Sequence, residues 1–314
     1  MELSVVIPVM NEKGNIAPLL ENISGALKGM TYEVIFVDDG STDGTVEAIL
    51  KLSGPNIRVL VFGRNYGQTS AMAAGIESAT GEFVVTMDGD LQNDATDIPL
   101  MLKRLKNNNL DVVVGIRKKR KDGVFLRKIP SIVANVLIRK MVGINITDIG
   151  CTLKVFRNHL AKKLDLYGEL HRFIPVLASM HGAKIDEIQV KHHSRKSGQS
   201  KYGISRVVKV LSDLMLMLFF IKYRQKPMHL FGTLGLTSLT TGVLLMVYLI
   251  AEKMVGNSIG NRPMFFISIL CMLASIQFIT TGFIAELLMR TYYGANQKKP
   301  YTISAEYKGS VRIG

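Results

Sequence analysis

"EFVVTMDGDLQND", residues 82–94, climbs through a short apolar run and then places Asp88, Asp90 and Asp94 within seven positions. The same grammar appears earlier in "YEVIFVDDGSTDGT", residues 32–45, where a Val/Ile-rich run ends in Asp38 and Asp39 and passes into a Gly/Ser/Thr turn. Three more runs of this kind, "LSVVIPV" (3–9), "IRVLVFG" (57–63) and "DVVVGIR" (111–117), are separated by segments such as 14–28 and 67–79, helical in length and character. Continuous β-branched runs are what strands covered on both faces look like, and their alternation with helices implies right-handed crossovers. The expected fold class is therefore α/β, with a Rossmann-like, mostly parallel sheet. Ligands of such sheets gather beyond the carboxyl ends of the strands, where Asn11, Asp38, Asp39, Asp88 and Asp90 all fall.

Asp88 and Asp90 are one residue apart, so on a regular strand they share a face, and Gly89 lets the backbone bend or approach a ligand. Two hard oxygen donors suit Mg²⁺ or Mn²⁺ shared with substrate phosphates. A carboxylate at 38 or 39 can accept hydrogen bonds from a base or ribose, Ser41 could cap the helix that follows, and Asp94 opens the next turn.

Beyond residue 116 the character changes. "RKKRKDGVFLRKIPSIVANVLIRKMVG", residues 117–143, is a basic cluster followed by an apolar helix with a polar stripe of Ser131, Asn135 and Arg139. Residues 204–227 repeat the pattern with Arg206, Lys209 and Asp213 on one face. Both are expected to lie in a membrane interface, the first over about 124–142. Residues 228–250 and 264–287 then supply two apolar runs about the length of the ~20 residues needed to span a bilayer. Lys222, Arg224 and Lys226 precede the first run and Arg290, Lys298 and Lys299 follow the second, against Lys253 and Arg262 between them. That bias puts both termini on the cytoplasmic side. The expected organisation is a cytoplasmic domain over 1–203, a juxtamembrane helix over 204–227, two spans within 228–288, and a cytoplasmic tail over 289–314.

Composition agrees. A formal charge of +14 with 47% hydrophobic residues points to an anionic partner beside a bilayer. Nucleic acid is set aside because no RNP-type aromatics, zinc-finger spacing or basic heptads occur. Cys151 and Cys271 make neither a disulfide framework nor a zinc site. "MELSVVIPVMNE" lacks the basic start of a signal peptide. His192 and His193, adjacent on a strand, would point apart and do not read as a metal pair.

"VVIPVMNE", "VDDGSTDGT", "MDGDLQ" and "GQSKYG" occur in the order seen in family 2 inverting glycosyltransferases of GT-A fold, and the chain resembles that family. More narrowly it is similar to the membrane-anchored polyprenyl-phosphate glycosyltransferases, over essentially its whole length, including a closing "KPYTI". The resemblance implies that Pro8, Asn11 and Glu12 line a nucleotide pocket with Asp38 and Asp39, the latter on the base or ribose. It implies that Asp88, Asp90 and Gln92 hold a Mg²⁺ or Mn²⁺ bridging the donor diphosphate, with Gly89 beside it. Arg117, Arg127 and Ser131 match lipid-phosphate positions, and Ser200 and Lys201 match a loop that closes near the diphosphate. Asp90, Arg117, Arg127, Ser131 and Lys201 are then the residues expected to carry catalysis, while Asp148, which opens "DIGCTLKVF", fits the mannose-synthase pattern.

The expected reaction is transfer of one hexose from a nucleotide donor, UDP-glucose before GDP-mannose, to polyprenyl phosphate. An ionised lipid phosphate is already a nucleophile, so no general base is strictly required. A processive polysaccharide synthase is disfavoured because the chain has no Trp for a Q-x-x-R-W motif. A non-catalytic lipid-binding scaffold would be expected to lose the metal ligands. Homo-oligomerisation is a further expectation from the resemblance.

Overall fold

A computed structural model describes residues 1–52, 54–117, 146–166, 170–193, 219, 227–256, 258–259, 262–294 and 301–313. The chain forms two compact units. One takes in Met1–Met215 and Lys299–Gly314, the other Leu216–Lys298.

In the first unit the runs quoted above become strands β1 (Leu3–Val9), β2 (Tyr32–Asp38), β3 (Ile57–Phe62), β4 (Phe83–Thr86) and β5 (Val112–Arg117). Helices α1 (Ile16–Ala26), α2 (Thr45–Leu52), α3 (Gln68–Ser78) and α4 (Ile98–Asn107) alternate with them. β2 pairs in parallel with β1 and β3, and β1 with β4. All seven residues of β1 are buried, as the two-faced reading requires. Helix α1 buries Ile16, Leu19 and Ile23, one stripe of its surface, against this sheet. α3 sits so close that a Cβ on Gly75 would run into Val6 and, at 3.1 Å, Val37.

Later segments complete the sheet. β6 (Lys154–Arg157) inserts antiparallel between β4 and β5, and β7 (Ile185–Val190) pairs in parallel with β5. β8 (Ile303–Lys308) adds antiparallel to β3, and β9 (Val311–Arg312) follows it. Among the described residues the strand order is β7-β5-β6-β4-β1-β2-β3-β8-β9. Because β6 runs against β4, with Lys154 opposite Thr86, the loop entering β6 lies over the edge where β4 and β5 end. That loop, residues 146–153, supplies much of the site.

In the second unit, α5 (Pro227–Met254) and α6 (Pro263–Gly294) form an apolar hairpin. They contain candidate spans of 27 and 26 residues, long enough to cross a bilayer. Only 17% and 11% of their most apolar windows are buried, so most of the apolar surface faces outward, which a soluble core helix does not do. The protein is accordingly a membrane protein. The helices meet at Gly235 and Gly242, where a Cβ would come within 2.7 Å of Ile279 Cγ1 and 2.9 Å of the Ser268 carbonyl oxygen. The Ser238 hydroxyl donates across to the Cys271 carbonyl at 2.7 Å. The segments expected to be interfacial helices, about 124–142 and 204–227, lie almost wholly outside the described residues.

Candidate active site

Register brings the ends of β1, β2 and β4 to one edge: Val9 lies opposite Asp38, and Val6 opposite Thr86. Beyond Val9, Asn11 adopts a left-handed φ of 57°. Its side-chain oxygen accepts from the Thr42 amide, and its own amide donates to the Ser41 hydroxyl, both at 2.9 Å. The Glu12 amide donates to Thr45 Oγ1 at 2.9 Å, and Pro8 is buried in β1. The two fingerprint loops are thus stitched to each other. Ser41 is spent on this stitch, and Asp43 instead accepts from the Thr45 amide at the start of α2, at 3.0 Å.

Asp38 is buried, with one oxygen accepting from the Ser41 amide and Oδ1 without a hydrogen-bond partner among the described residues. Asp39 takes the Tyr66 amide at 2.7 Å on Oδ1 and the Gly67 amide at 3.0 Å on Oδ2. Burial pushes both carboxyls upward, against those hydrogen bonds. The loop that supplies the Tyr66 and Gly67 amides packs tightly on the fingerprint: a Cβ on Gly40, itself at φ 77°, would lie 2.9 Å from the Arg64 carbonyl carbon.

Asp88 and Asp90 stand past the end of β4, where Leu91 at φ 60° turns the chain. Asp88 Oδ1 accepts from Gln68 Nε2 at 2.8 Å, and Oδ2 from the Thr152 hydroxyl at 2.7 Å. Loss of hydration, then the neighbouring Asp90 charge, raises Asp88 to about 6. Asp90 is buried and accepts from the Gln92 amide at 3.2 Å. A Cβ on Gly89 would meet Val9 Cγ1 at 2.8 Å, so this position presses against the end of β1. Asp94 does begin the next turn, accepting from the Thr96 amide at 2.9 Å.

Behind the carboxylates, Lys154 is 1% exposed and its ammonium donates to the Cys151 carbonyl. Burial lowers it to about 8, although Cys151, Asp88 and Asp148 favour its charge. Arg117, at the end of β5, holds Asp148 with two hydrogen bonds, and Asp148 with Thr147 is in turn tied to Glu187 of β7. Thr69 and buried His171 share a 2.7 Å hydrogen bond next to Gln68.

Of the residues expected from sequence, Pro8, Asn11, Glu12, Asp38, Asp39, Asp88, Gly89, Asp90, Gln92 and Arg117 line this edge or flank it. Arg127, Ser131, Ser200 and Lys201 lie outside the described residues. His193, expected to be bland, hydrogen-bonds Asp94 at 3.1 Å. Among the described residues no cluster of three or more His, Cys, Asp or Glu is poised for a metal. Gln68, Thr152 and His171 carried no sequence signal, since their partners come from distant segments.

The glycosyl transferase family 2 pattern matches residues 4–165. The chain belongs to that family of enzymes. It is 45% identical over 311 residues to the dodecaprenyl-phosphate galacturonate synthase of Rhizobium johnstonii, covering 96% of this chain and 92% of that one. The undecaprenyl-phosphate 4-deoxy-4-formamido-L-arabinose transferase of Serratia proteamaculans is 33% identical, over 96% of this chain and 93% of its own. In fold the chain is similar to glucosyl-3-phosphoglycerate synthase from Mycobacterium tuberculosis, solved with Mn²⁺ and uridine-diphosphate-glucose. The TM-score is 0.54 at 16% identity, covering 70% of this chain and 78% of that one.

Proposed function

We propose that the protein transfers one sugar from a nucleotide donor to polyprenyl phosphate at the cytoplasmic membrane face, with inversion at the anomeric carbon. The observation that carries this reading is the 45% identity, over nearly the whole length of both chains, to a polyprenyl-phosphate galacturonate synthase. That likeness moves the donor from the UDP-glucose expected at first to a nucleotide-linked uronic acid, UDP-galacturonate being the first to try. The basic residues flanking the hairpin support the cytoplasmic orientation.

Asp88, Asp90 and Gln92 would hold a divalent cation. The donor set fits: two hard carboxylates share a poorly hydrated corner, Asp88 is raised to about 6 in part by Asp90, and each Asp88 oxygen keeps a lone pair beyond its bond to Gln68 or Thr152. When bound, Mn²⁺ or Mg²⁺ would supply Lewis-acid stabilisation of negative charge on a diphosphate leaving group. Asp39, fixed by the Tyr66 and Gly67 amides, and Asp38, with one oxygen open, face the base and ribose. Arg117, with Arg127 and Ser131, positions the lipid phosphate, and Lys201 with Ser200 closes on the diphosphate. With the acceptor already ionised, the protein's task is to bring two anions together and align them.

The test is a donor panel. Purified protein with Mn²⁺ and undecaprenyl phosphate is offered UDP-galacturonate, UDP-glucose, GDP-mannose and UDP-4-deoxy-4-formamido-L-arabinose, and the glycolipid is read by mass spectrometry. A dominant uronosyl lipid is expected. No glycolipid from any donor would sink the proposal, and a dominant glucosyl lipid would sink the uronic-acid refinement.

A further inference from the structure

We propose that the tail segment Tyr301–Lys308 is a working part of the donor site, with Tyr301 as a positioning residue that braces loop 63–67. The inference rests on the reading above, in which Asp39 and Asp88 serve the donor.

The Arg64–Asn65 backbone of loop 63–67 packs against Gly40. Gly63, Arg64 and Asn65 are exposed, yet the next two amides must close on Asp39. Side chains anchor the loop at two points, Asn65 Nδ2 on Met10 Sδ at 2.8 Å and the Tyr66 ring. The ring meets Phe62 edge-on at 5.5 Å and lies under the Arg64 guanidinium at 4.9 Å, and Thr302 of the tail, with Arg64, lowers the pKa of its hydroxyl. Phe62 is itself stacked on Tyr301, with ring centroids 5.2 Å apart and planes 20° from parallel.

The tail also grips the far end of the same stretch. Tyr301 donates its hydroxyl to Glu77 Oε2 at 2.7 Å, near the end of α3, and the first residue of α3 is Gln68, the amide donor to Asp88. Ser304 donates to the Val61 carbonyl at 2.9 Å, and β8 runs alongside β3 in antiparallel register with an irregularity at Val61/Phe62. Arg58 of β3 is paired with Glu306 of β8 at 2.8 Å. The stretch from Phe62 to Glu77 thus carries the amides that hold the Asp39 carboxylate and one of the two side chains that hold Asp88, and the tail holds it at both ends.

The experiment uses full-length protein in nanodiscs with Mn²⁺, the donor that turns over and undecaprenyl phosphate. Tyr301→Ala is expected to raise the donor KM about tenfold, the scale of a lost aromatic pair with its hydrogen bond. The acceptor KM should hold, and hydrogen exchange at the Tyr66 and Gly67 amides should accelerate. Tyr301→Phe, which keeps the stack and loses only the Glu77 bond, should restore most of the donor KM. An unchanged donor KM, or unchanged exchange at those two amides, overturns the proposal. So does a fall in kcat with both KM values intact. If Tyr301→Ala does not yield folded protein, Thr302→Val carries the same readouts. If the unaltered enzyme turns over no donor, the functional reading fails, and exchange at Tyr66 and Gly67 still decides the brace.

Discussion

Arg117 and Asp148 are joined by two hydrogen bonds, Nε to Oδ2 at 2.7 Å and Nη2 to Oδ1 at 2.8 Å, with the Arg117 amide also 3.3 Å from Oδ2. The fork geometry fixes the guanidinium plane at the end of β5. Asp148→Ala leaves Arg117 charged and half-buried, and should cost about 2 kcal/mol, less than a fully buried pair would. Thermal melting reads that loss. On the proposed reading, the KM for polyprenyl phosphate should also rise more than the donor KM. A variant that melts and binds acceptor like the unaltered enzyme would show that the pair aims nothing.

Asp88 is oriented by two neutral donors, Gln68 and Thr152, from different parts of the fold. Removing a partner behind a metal-holding side chain typically weakens metal binding about 10- to 100-fold. Gln68→Ala and Thr152→Val should each do so in a Mn²⁺ titration followed by electron paramagnetic resonance, and Asp90→Ala should abolish binding. Tight Mn²⁺ binding by Asp90→Ala would remove the metal assignment.

His171 is buried, and its imidazole is pushed down to about 3 by loss of hydration, with Arg172 and Lys154 adding to the effect. A histidine in an unfolded chain titrates near 6.5. Between those values the unfolded state holds a proton that the folded state refuses, so stability falls as pH drops through the window, by at most about 1.4 kcal/mol per pH unit. Above about 6.5 this group adds no slope. His171→Gln should flatten the decline in melting temperature between pH 6.5 and 4.5 relative to the unaltered protein. Parallel curves would mean that His171 takes up its proton without unfolding.

The hairpin offers a separate test. Gly242 brings α5 against α6 so closely that a Cβ would lie 2.8 Å from Met272 Cγ and 2.9 Å from the Ser268 carbonyl oxygen. Gly242→Leu should separate the helices and lower the melting temperature of the detergent-solubilised protein, at the ~1–3 kcal/mol scale of overpacking. Leu244→Ala, at a position 69% exposed, should change it little.

The first five strands and the carboxylates at their ends were legible because fully buried strands write themselves as unbroken Val/Ile runs. The hairpin was legible for a similar reason, since lipid-facing helices leave no polar phase. β7 and β8 were not: "IDEIQV" and "ISAEYK" lie towards the rims of the sheet, are mostly half-buried, and carry charges that dilute the pattern. The support of the site was hidden for another reason. Gln68 meets Asp88 across 20 residues and Thr152 meets it across 64, and no local spacing encodes such meetings. Asp88 itself could be read from sequence, but what aims it could not. Ser41 shows the converse, a residue whose local chemistry suits a helix cap but which is claimed by Asn11 from 30 residues away.

β3 waits a long time for its outer neighbour. The Arg58–Glu306 pair spans 248 residues, and both apolar helices lie within that interval. On the ribosome, then, β8 is made only after the two helices have been translated and can enter the bilayer. A chain stalled before that point would carry the carboxylates without the brace beside them. On the reading proposed above, the order of synthesis thereby delays completion of the donor site until both apolar helices have been made.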